Sequence, residues 1–322
     1  MIAVISHAED LHASTVLSHL QRAGADSVRL DTGQVPKSAS VTSRHTPEDP
    51  WQATWADAAG EHDLTRIRVA WWRRPLPYGL HDDLVGVEDR GFAYAECDAA
   101  VAGLWACLDA TWVNDPDRDA AASRKVWQLK TAAALGLRVP RTCITNDPEQ
   151  ARAFVAAEPA GGVIYKPFGG TEATWRETRV LRPGDAELLD HVRFAPVIFQ
   201  ERIPGGLDIR ATIVGTDVYA AEIRAHESAY EVDFRMDAQV PDRIHRHELP
   251  AEVTERLLAY QRRAGLVYGA ADLRLTPQGE YVFLEVNPAG QWLFVELATE
   301  LPISAAMAGL LARLDRPVPA AA

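Results

Sequence analysis

The run GAADLRLTPQGEYVFLEVN, residues 269–287, constrains this chain more than any other stretch: two apolar strands meet at Thr276-Pro277-Gln278-Gly279 and read as a β-hairpin. Side chains alternate across a strand, so Glu285 and Asn287 share one face. If Gln278-Gly279 is a two-residue turn, Asp272 stands opposite Glu285; a three-residue Pro-Gln-Gly loop shifts that pairing by one. Opposed carboxylates repel unless something positive lies between them. A divalent cation answers this, and magnesium suits a set of two carboxylates and an amide because it completes its octahedron with water and phosphate oxygens. Asp272, Glu285 and Asn287 are therefore the expected metal ligands, and they imply a nucleotide. The alternative is that both acids are solvated on an exposed hairpin.

The rest of the chain sets bounds on this reading. Its 322 residues, 47% hydrophobic and 24% charged, suffice for two or three domains with real cores. A net charge of -12 argues against a nucleic-acid binder held by phosphate contacts, so an anionic ligand must meet a local basic pocket. The start, MIAVISHAED, lacks the form of a signal peptide, and no run approaches a membrane span. Cys97, Cys107 and Cys143 fit neither a CxxC pair nor a zinc spacing, which predicts free thiols in a reducing cytoplasm.

Strands at MIAVIS, SVRLD and IRVAWW, with a helix from Asp10 to Gly24 and another from Glu88 to Leu108, predict an α/β layer with parallel strands. The second helix is expected to bury Phe92, Ala95, Ala99, Leu104, Trp105 and Leu108. The polar break NDPDRDAAAS ends this first domain, taken as residues 1–118. A central lobe, 119–195, holds a helix closed by Gly136, a helix start at Asn146-Asp147-Pro148 and the strand VIYK. A β-rich C-terminal lobe, 196–316, follows, with a tail at 317–322 expected to be disordered.

The cationic half of a nucleotide site lies mid-chain. Lys166 ends VIYK before Pro-Phe-Gly-Gly, so the loop at Gly169 and Gly170 offers backbone N–H groups to phosphates while the lysine supplies charge. Lys125 opens the preceding helix, where a cation suits an anion better than it suits the helix dipole. In VIFQERIPGGLDIR, the extended segment at Gln200, Glu201, Arg202 and Ile203 can present backbone groups to a flat ring. Asp208 can accept from sugar hydroxyls, and Arg210 on the same face can reach a phosphate. Singly, a strand-end lysine or a DIR strand is ordinary surface, and His245 and His247 read as surface histidines. Trp292 follows the acidic segment directly and is expected to wall the site. Walker A and GxSxG patterns are absent.

In this order Lys125 before LGLRVPRT, IYKPFGG, FQERIPGGLDIRATIVG, VDFR and GAADLRLTPQGEYVFLEVNPAGQW resemble the ATP-grasp superfamily over residues 120–300. AWWRRP, EIRAHES and NPAGQW resemble most the ATP-grasp maturases of ribosomal peptides, the microviridin-type or graspetide ligases. The resemblance implies an ATP-grasp fold: an N-terminal Rossmann-like α/β domain, a small central lobe and a C-terminal lobe. It implies that Lys125 and Lys166 hold ATP phosphates and that Glu201 and Ile203 line the adenine hinge. Magnesium would sit on Asp272, Glu285 and Asn287, with Arg210 and Arg235 facing the transferring phosphoryl group. Lys130, further along the same helix, competes with Lys125 for its role. The implied partner is a precursor peptide whose leader docks in the C-terminal lobe, placed on the charged stretch that holds Arg224, Glu227, Glu231 and Asp233; Arg73 and Arg74, at the C-terminal end of a predicted parallel strand, where α/β sheets place ligands, are expected to hold its acidic core. A homodimer is also implied. Alternatives are a ligase of the glutamate-adding type and a non-catalytic peptide-binding scaffold.

Overall fold

The computed structural model describes residues 1–48, 51–158, 162–169, 178–224 and 241–316. It forms two units, one of residues 1–119 with 265–268 and the segment starting at Pro302, the other of 120–264 with 269–301.

The first unit begins with β1 (Ile2–Ser6), whose five residues are all buried, then α1 (Leu11–Arg22) and β2 (Ser27–Leu30). Asp10 caps α1, its carboxylate accepting from the N–H groups of His12 and Ala13. A polar meander follows: β3 (Ser40–Arg44), β4 (Gln52–Asp57) and β5 (Gly60–Asp63) make an antiparallel sheet. β6 (Val69–Arg74), α2 (Val87–Cys107) and β7 (Thr111–Val113) complete the layer. The main sheet runs β2-β1-β6-β7, parallel throughout, as strand and helix alternation predicts. Trp55 stacks on Trp105, whose ring meets Trp112 edge-on, each such pair contributing about 0.5–1.5 kcal/mol beyond its burial. The expected face of α2 is buried only at Leu104, Trp105 and, just past its end, Leu108; Phe92 is 69% exposed, and Ala95 and Ala99 lie open.

The chain passes through α3 (Pro116–Ala122) into the second unit. There α4 (Lys125–Ala134), β8 (Thr142–Thr145), α5 (Pro148–Ala157), β9 (Val163–Lys166), β10 (Arg179–Val180) and β11 (Val197–Glu201) build the central lobe. Its sheet has the order β10-β9-β11-β8. The expected division at 195/196 thus falls before a strand that pairs with both β8 and β9, and β11 belongs to the central sheet. The C-terminal sheet, in the order β14-β13-β12-β15-β16, comprises β12 (Leu207–Val214), β13 (Asp217–Ile223), β14 (Ile244–Arg246), β15 (Tyr268–Leu275) and β16 (Tyr281–Asn287). Helix α6 (Ala251–Ala264) covers one face, with Tyr260 against Phe283, and α7 (Leu293–Thr299) follows β16. Pro302 separates α7 from α8 (Ile303–Leu314), which packs on α1 in the first unit, so the C-terminal lobe ends earlier than residue 316. Ionic closure reinforces that return: the Met1 ammonium and Arg68 both bind Asp315.

Asp119 has one carboxyl oxygen buried with no hydrogen-bond partner among the described residues. Burial raises its pKa to about 6, against the lowering effect of a hydrogen bond from Asn114. The unfolded value lies near ~3.9. The native state therefore holds the proton more tightly, and this contribution to stability is full below about pH 4 and lost as pH rises through about 6. Asp119→Asn stays neutral, so it is expected to raise stability at pH 8 by on the order of 2 kcal/mol and to change it little at pH 4. Urea midpoints at both pH values test this; equal shifts would refute burial as the cause.

Candidate active site

An open cleft in the second unit is lined by Ile164, Gln200, Glu201, Arg202, Ile203, Asp208, Arg274 and Leu284. All five of the expected ring- and sugar-binding positions are there. β11 delivers Gln200 and Glu201, and the chain then leaves the sheet at Arg202 and Ile203. The Gly205-Gly206 turn closes this wall. Both glycines have positive φ, and a Cβ on Gly206 would stand 1.9 Å from the Leu275 carbonyl oxygen, so only glycine lets the turn approach β15. Arg274 pins it, donating from Nε to Gly205 O at 3.0 Å and from Nη1 to Asp208 Oδ1 at 2.7 Å. Glu201 Oε2 accepts from Arg141 Nε at 2.8 Å, and its Oε1 forms an ion pair with Arg138 at 3.6 Å. Lys166 lies on β9 two residues after Ile164 and hence on the same face.

The acids are brought together as expected, by a different route. The hairpin loop is the three-residue Pro277-Gln278-Gly279, bracketed by Thr276 N–H donating to Glu280 O, which alone would place Asp272 opposite Leu284. A register shift between Asp272 and Leu273 restores the residue, so Asp272 pairs with Glu285 and Ala270 with Asn287. The bulge also turns Leu284 into the cleft.

Both carboxylates have cationic partners. Lys125 Nζ donates to Glu285 Oε2 at 2.7 Å, and Arg210 Nη1 donates to the two Asp272 oxygens at 2.8 and 3.0 Å. The charge that the opposed acids require is thus supplied by side chains. Lys125 is placed by Gln128, one turn along α4 and buried, whose amide bonds the N–H and C=O of Val286 on the edge of β16. Lys130 is exposed, which leaves Lys125 as the lysine at the acids. Arg210 Nη2 reaches Gln291 O at 2.8 Å, and Asn287 Oδ1 accepts from Ala289 N–H. Among the described residues no three His, Cys, Asp or Glu side chains form a metal cluster. Two in-register carboxylates plus an amide oxygen nevertheless fit a hard cation that draws its remaining ligands from water and phosphate.

Other expected positions fall elsewhere. Arg73 is corrected: it is 1% exposed inside its own unit, its Nε bonded to Asp10 Oδ2 at 3.2 Å, and so offers no surface to a peptide. Burial works against the Asp10 charge, but His12, Arg73 and Ser6 hold its carboxyl well below the usual range. Arg74, the last residue of β6, is half-buried. Trp292 is also corrected, being fully buried at the start of α7 and a core side chain. Arg224 pairs with Glu222, which also meets His247 Nδ1 at 3.2 Å; His247 Nε2 lies 2.8 Å from the Tyr281 hydroxyl, so it is a bonded, half-buried histidine and not a surface one. Gly170, Glu227, Glu231, Asp233, Arg235 and the 317–322 tail lie outside the described residues. Sequence reasoning missed Ile164, Leu284 and Arg274; strand alternation from Asp272 was the available signal for Arg274.

Residues 1–120 match the MvdD pre-ATP grasp domain. No curated protein sequence matches the chain. Among solved structures, macrocyclase MdnC from Microcystis aeruginosa MRC, bound with precursor peptide MdnA, is 27% identical with a TM-score of 0.85, covering 97% of this chain and 99% of that one. A Chryseobacterium gregarium RiPP-associated ATP-grasp ligase in complex with ADP and a leader and core peptide is 27% identical with a TM-score of 0.89, covering 97% and 96%. The ATP-grasp ligase PsnB, complexed with minimal precursor, Mg and ADP, is 25% identical with a TM-score of 0.78, covering 98% and 97%. The chain therefore has the ATP-grasp fold, with an α/β N-terminal domain, and resembles along nearly its whole length a macrocyclase bound with its precursor peptide and a RiPP-associated ATP-grasp ligase.

Proposed function

We propose that this protein is an ATP-dependent carboxylate ligase that crosslinks the side chains of a ribosomal precursor peptide. The observation that carries the reading is the cleft of Gln200 to Ile203 and Asp208 in the same unit as the Lys125, Glu285, Arg210 and Asp272 cluster, in a chain so similar to precursor-bound ligases. The γ-phosphoryl of ATP is transferred to an Asp or Glu carboxylate of the peptide, giving an acyl phosphate and ADP. A Ser or Thr hydroxyl then attacks to close an ω-ester, or a Lys amine to close an ω-amide, and phosphate leaves with the bond to the acyl carbon. Magnesium on Asp272, Glu285 and Asn287 would offset the charge of the phosphates. Backbone groups at Glu201 and Ile203 hold the adenine edge, and Asp208, held by Arg274, faces the ribose. Lys125, Lys166 and Arg210 supply positive charge where negative charge is transferred. The leader docks beside the stretch from Arg224 to Glu248, and the enzyme works as a cytoplasmic homodimer.

Intact-mass analysis of a candidate precursor, rich in Thr and acidic residues, tests this after incubation with protein, ATP and magnesium. Losses of ~18 Da per bond, one water each, are expected with the native chain and not with Glu285→Ala. An unchanged peptide, with ADP still released when free amino acids are supplied, would move the reading to a ligase joining two molecules.

A further inference from the structure

Beside the proposed adenine wall, a strand ladder stops one bond short. β11 pairs with β8 and continues to Arg141, where Glu201 N–H donates to Arg141 O at 2.9 Å. A hydrogen-bonded antiparallel pair exchanges two bonds, so Arg141 N–H is due back at the Glu201 carbonyl. It goes instead to the side chain of the same residue: Glu201 Oε2 accepts from Arg141 N–H at 3.2 Å and from Arg141 Nε at 2.8 Å. Pro140, next along, has no N–H to give. The chain then turns away to β16, with Arg138 O accepting from Phe283 N–H at 2.7 Å. On the other edge of β11, Arg202 N–H is taken by Gly162 O at 3.0 Å, so Glu201 C=O, one residue back, faces the side where the ladder has ended.

We propose, building on the ligase reading above, that the Glu201 carboxylate is a positioning group for adenine: by occupying Arg141 N–H it frees its own carbonyl to accept from the amine at purine C6. Guanine carries an oxygen there, which would set two acceptors against each other. Without the carboxylate, Arg141 N–H closes the ladder on the carbonyl, and the amine loses its acceptor. The carboxylate is held in place from both sides. Oε1 meets Arg138 at 3.6 Å, and the Arg141 guanidinium is steadied in turn by Glu158, whose carboxylate is almost fully buried and lies 2.6 Å from Nη2. Both guanidinium groups are exposed, so these pairs contribute little energy and their part is geometric.

Calorimetry with magnesium present tests this by comparing ADP with the diphosphate of purine riboside, which lacks the C6 amine. The chains compared are the native one, Glu201→Leu and Glu201→Val, which remove the side-chain acceptor, and Glu201→Gln, which keeps an oxygen that can accept from Arg141 N–H. Circular-dichroism melts establish which variants are folded. The native chain is expected to prefer ADP by on the order of tenfold, the effect of one hydrogen bond made or lost. Glu201→Leu and Glu201→Val should bind the two nucleotides alike, and Glu201→Gln should keep most of the native preference. A uniform loss of affinity, with the preference for ADP intact in Glu201→Leu or Glu201→Val, overturns the proposal and leaves the ligase reading in place. So does a native chain without the preference, or a Glu201→Gln chain that discriminates no better than Glu201→Leu. A native chain that binds neither nucleotide overturns both.

Discussion

Arg210→Met is expected to destabilise the second unit by about 3–5 kcal/mol and to abolish ATP turnover. Arg210 and Asp272 are 7% and 13% exposed at their side chains, and Arg210 is the cation bonded to both oxygens of that carboxylate. Methionine fills much of the same volume but leaves Asp272 poorly hydrated and opposite Glu285 on the neighbouring strand. Breaking a buried pair from one side costs far more than the pair contributes net, about 3–5 kcal/mol, because the surviving charge is stranded. That is a large share of the roughly 5–15 kcal/mol that holds a domain together. Asp272→Leu should also be damaging, for it removes the buried carboxylate that accepts twice from the guanidinium. The double variant Arg210→Met/Asp272→Leu removes both charges and is expected to return most of the stability, since well-packed apolar replacements of buried pairs are often neutral or better. It should not recover ADP release, because both charges are absent from the site. Urea midpoints and coupled ADP assays on the four chains separate the two roles. A single-variant cost below about 1 kcal/mol would mean that the pair behaves as a solvated one.

Much of this architecture was legible in local pattern, and the failures share a cause. Parallel strands alternating with helices announced the first sheet, and β1, β6, β12 and β13 stand where apolar runs put them. The meander β3-β4-β5 escaped because its strands are polar except at Val41, Ala53, Trp55 and Ala56, too few positions to establish a period of two. The pairing of Asp272 with Glu285 follows from a two-residue turn on paper but arises from the three-residue alternative plus a compensating bulge, and the bulge leaves no signature in GAADLRLTPQGEYVFLEVN. Arg73 stood where an α/β sheet places ligand contacts, at a strand end. Its burial is decided by Asp10, 63 residues earlier, and no local pattern carries that partnership. The same holds for α8, whose helical period is plain but whose packing against α1 is a tertiary fact. Side-chain pairing within the site was legible only as composition: two acids, two cations and an amide were visible, and which would bond which was not.

Gly290→Ala should be the most damaging single-methyl addition near the acids. The Asn287–Gly290 turn closes with Gly290 N–H donating to Asn287 O at 3.1 Å, which brings the glycine against β15 and under the Arg210 guanidinium. A Cβ there would stand 2.4 Å from Ala270 Cβ and 2.8 Å from Arg210 Nη2. Neither separation is tolerable, so the turn, the guanidinium or both must shift. Overpacking of this kind costs about 1–3 kcal/mol in stability. The effect on turnover should be larger, because Arg210 bonds Asp272 and Gln291 O, and Asn287 belongs to the same turn. A displacement near 1 Å in such groups lowers rate on the order of a hundredfold. Adding Ala270→Gly relieves the carbon contact and leaves the Arg210 contact in place. The double variant is therefore expected to regain thermal stability while ADP release stays on the order of a hundredfold below the native rate. Recovery of both together would place the damage in the Ala270 contact and remove Gly290 from any part in positioning Arg210.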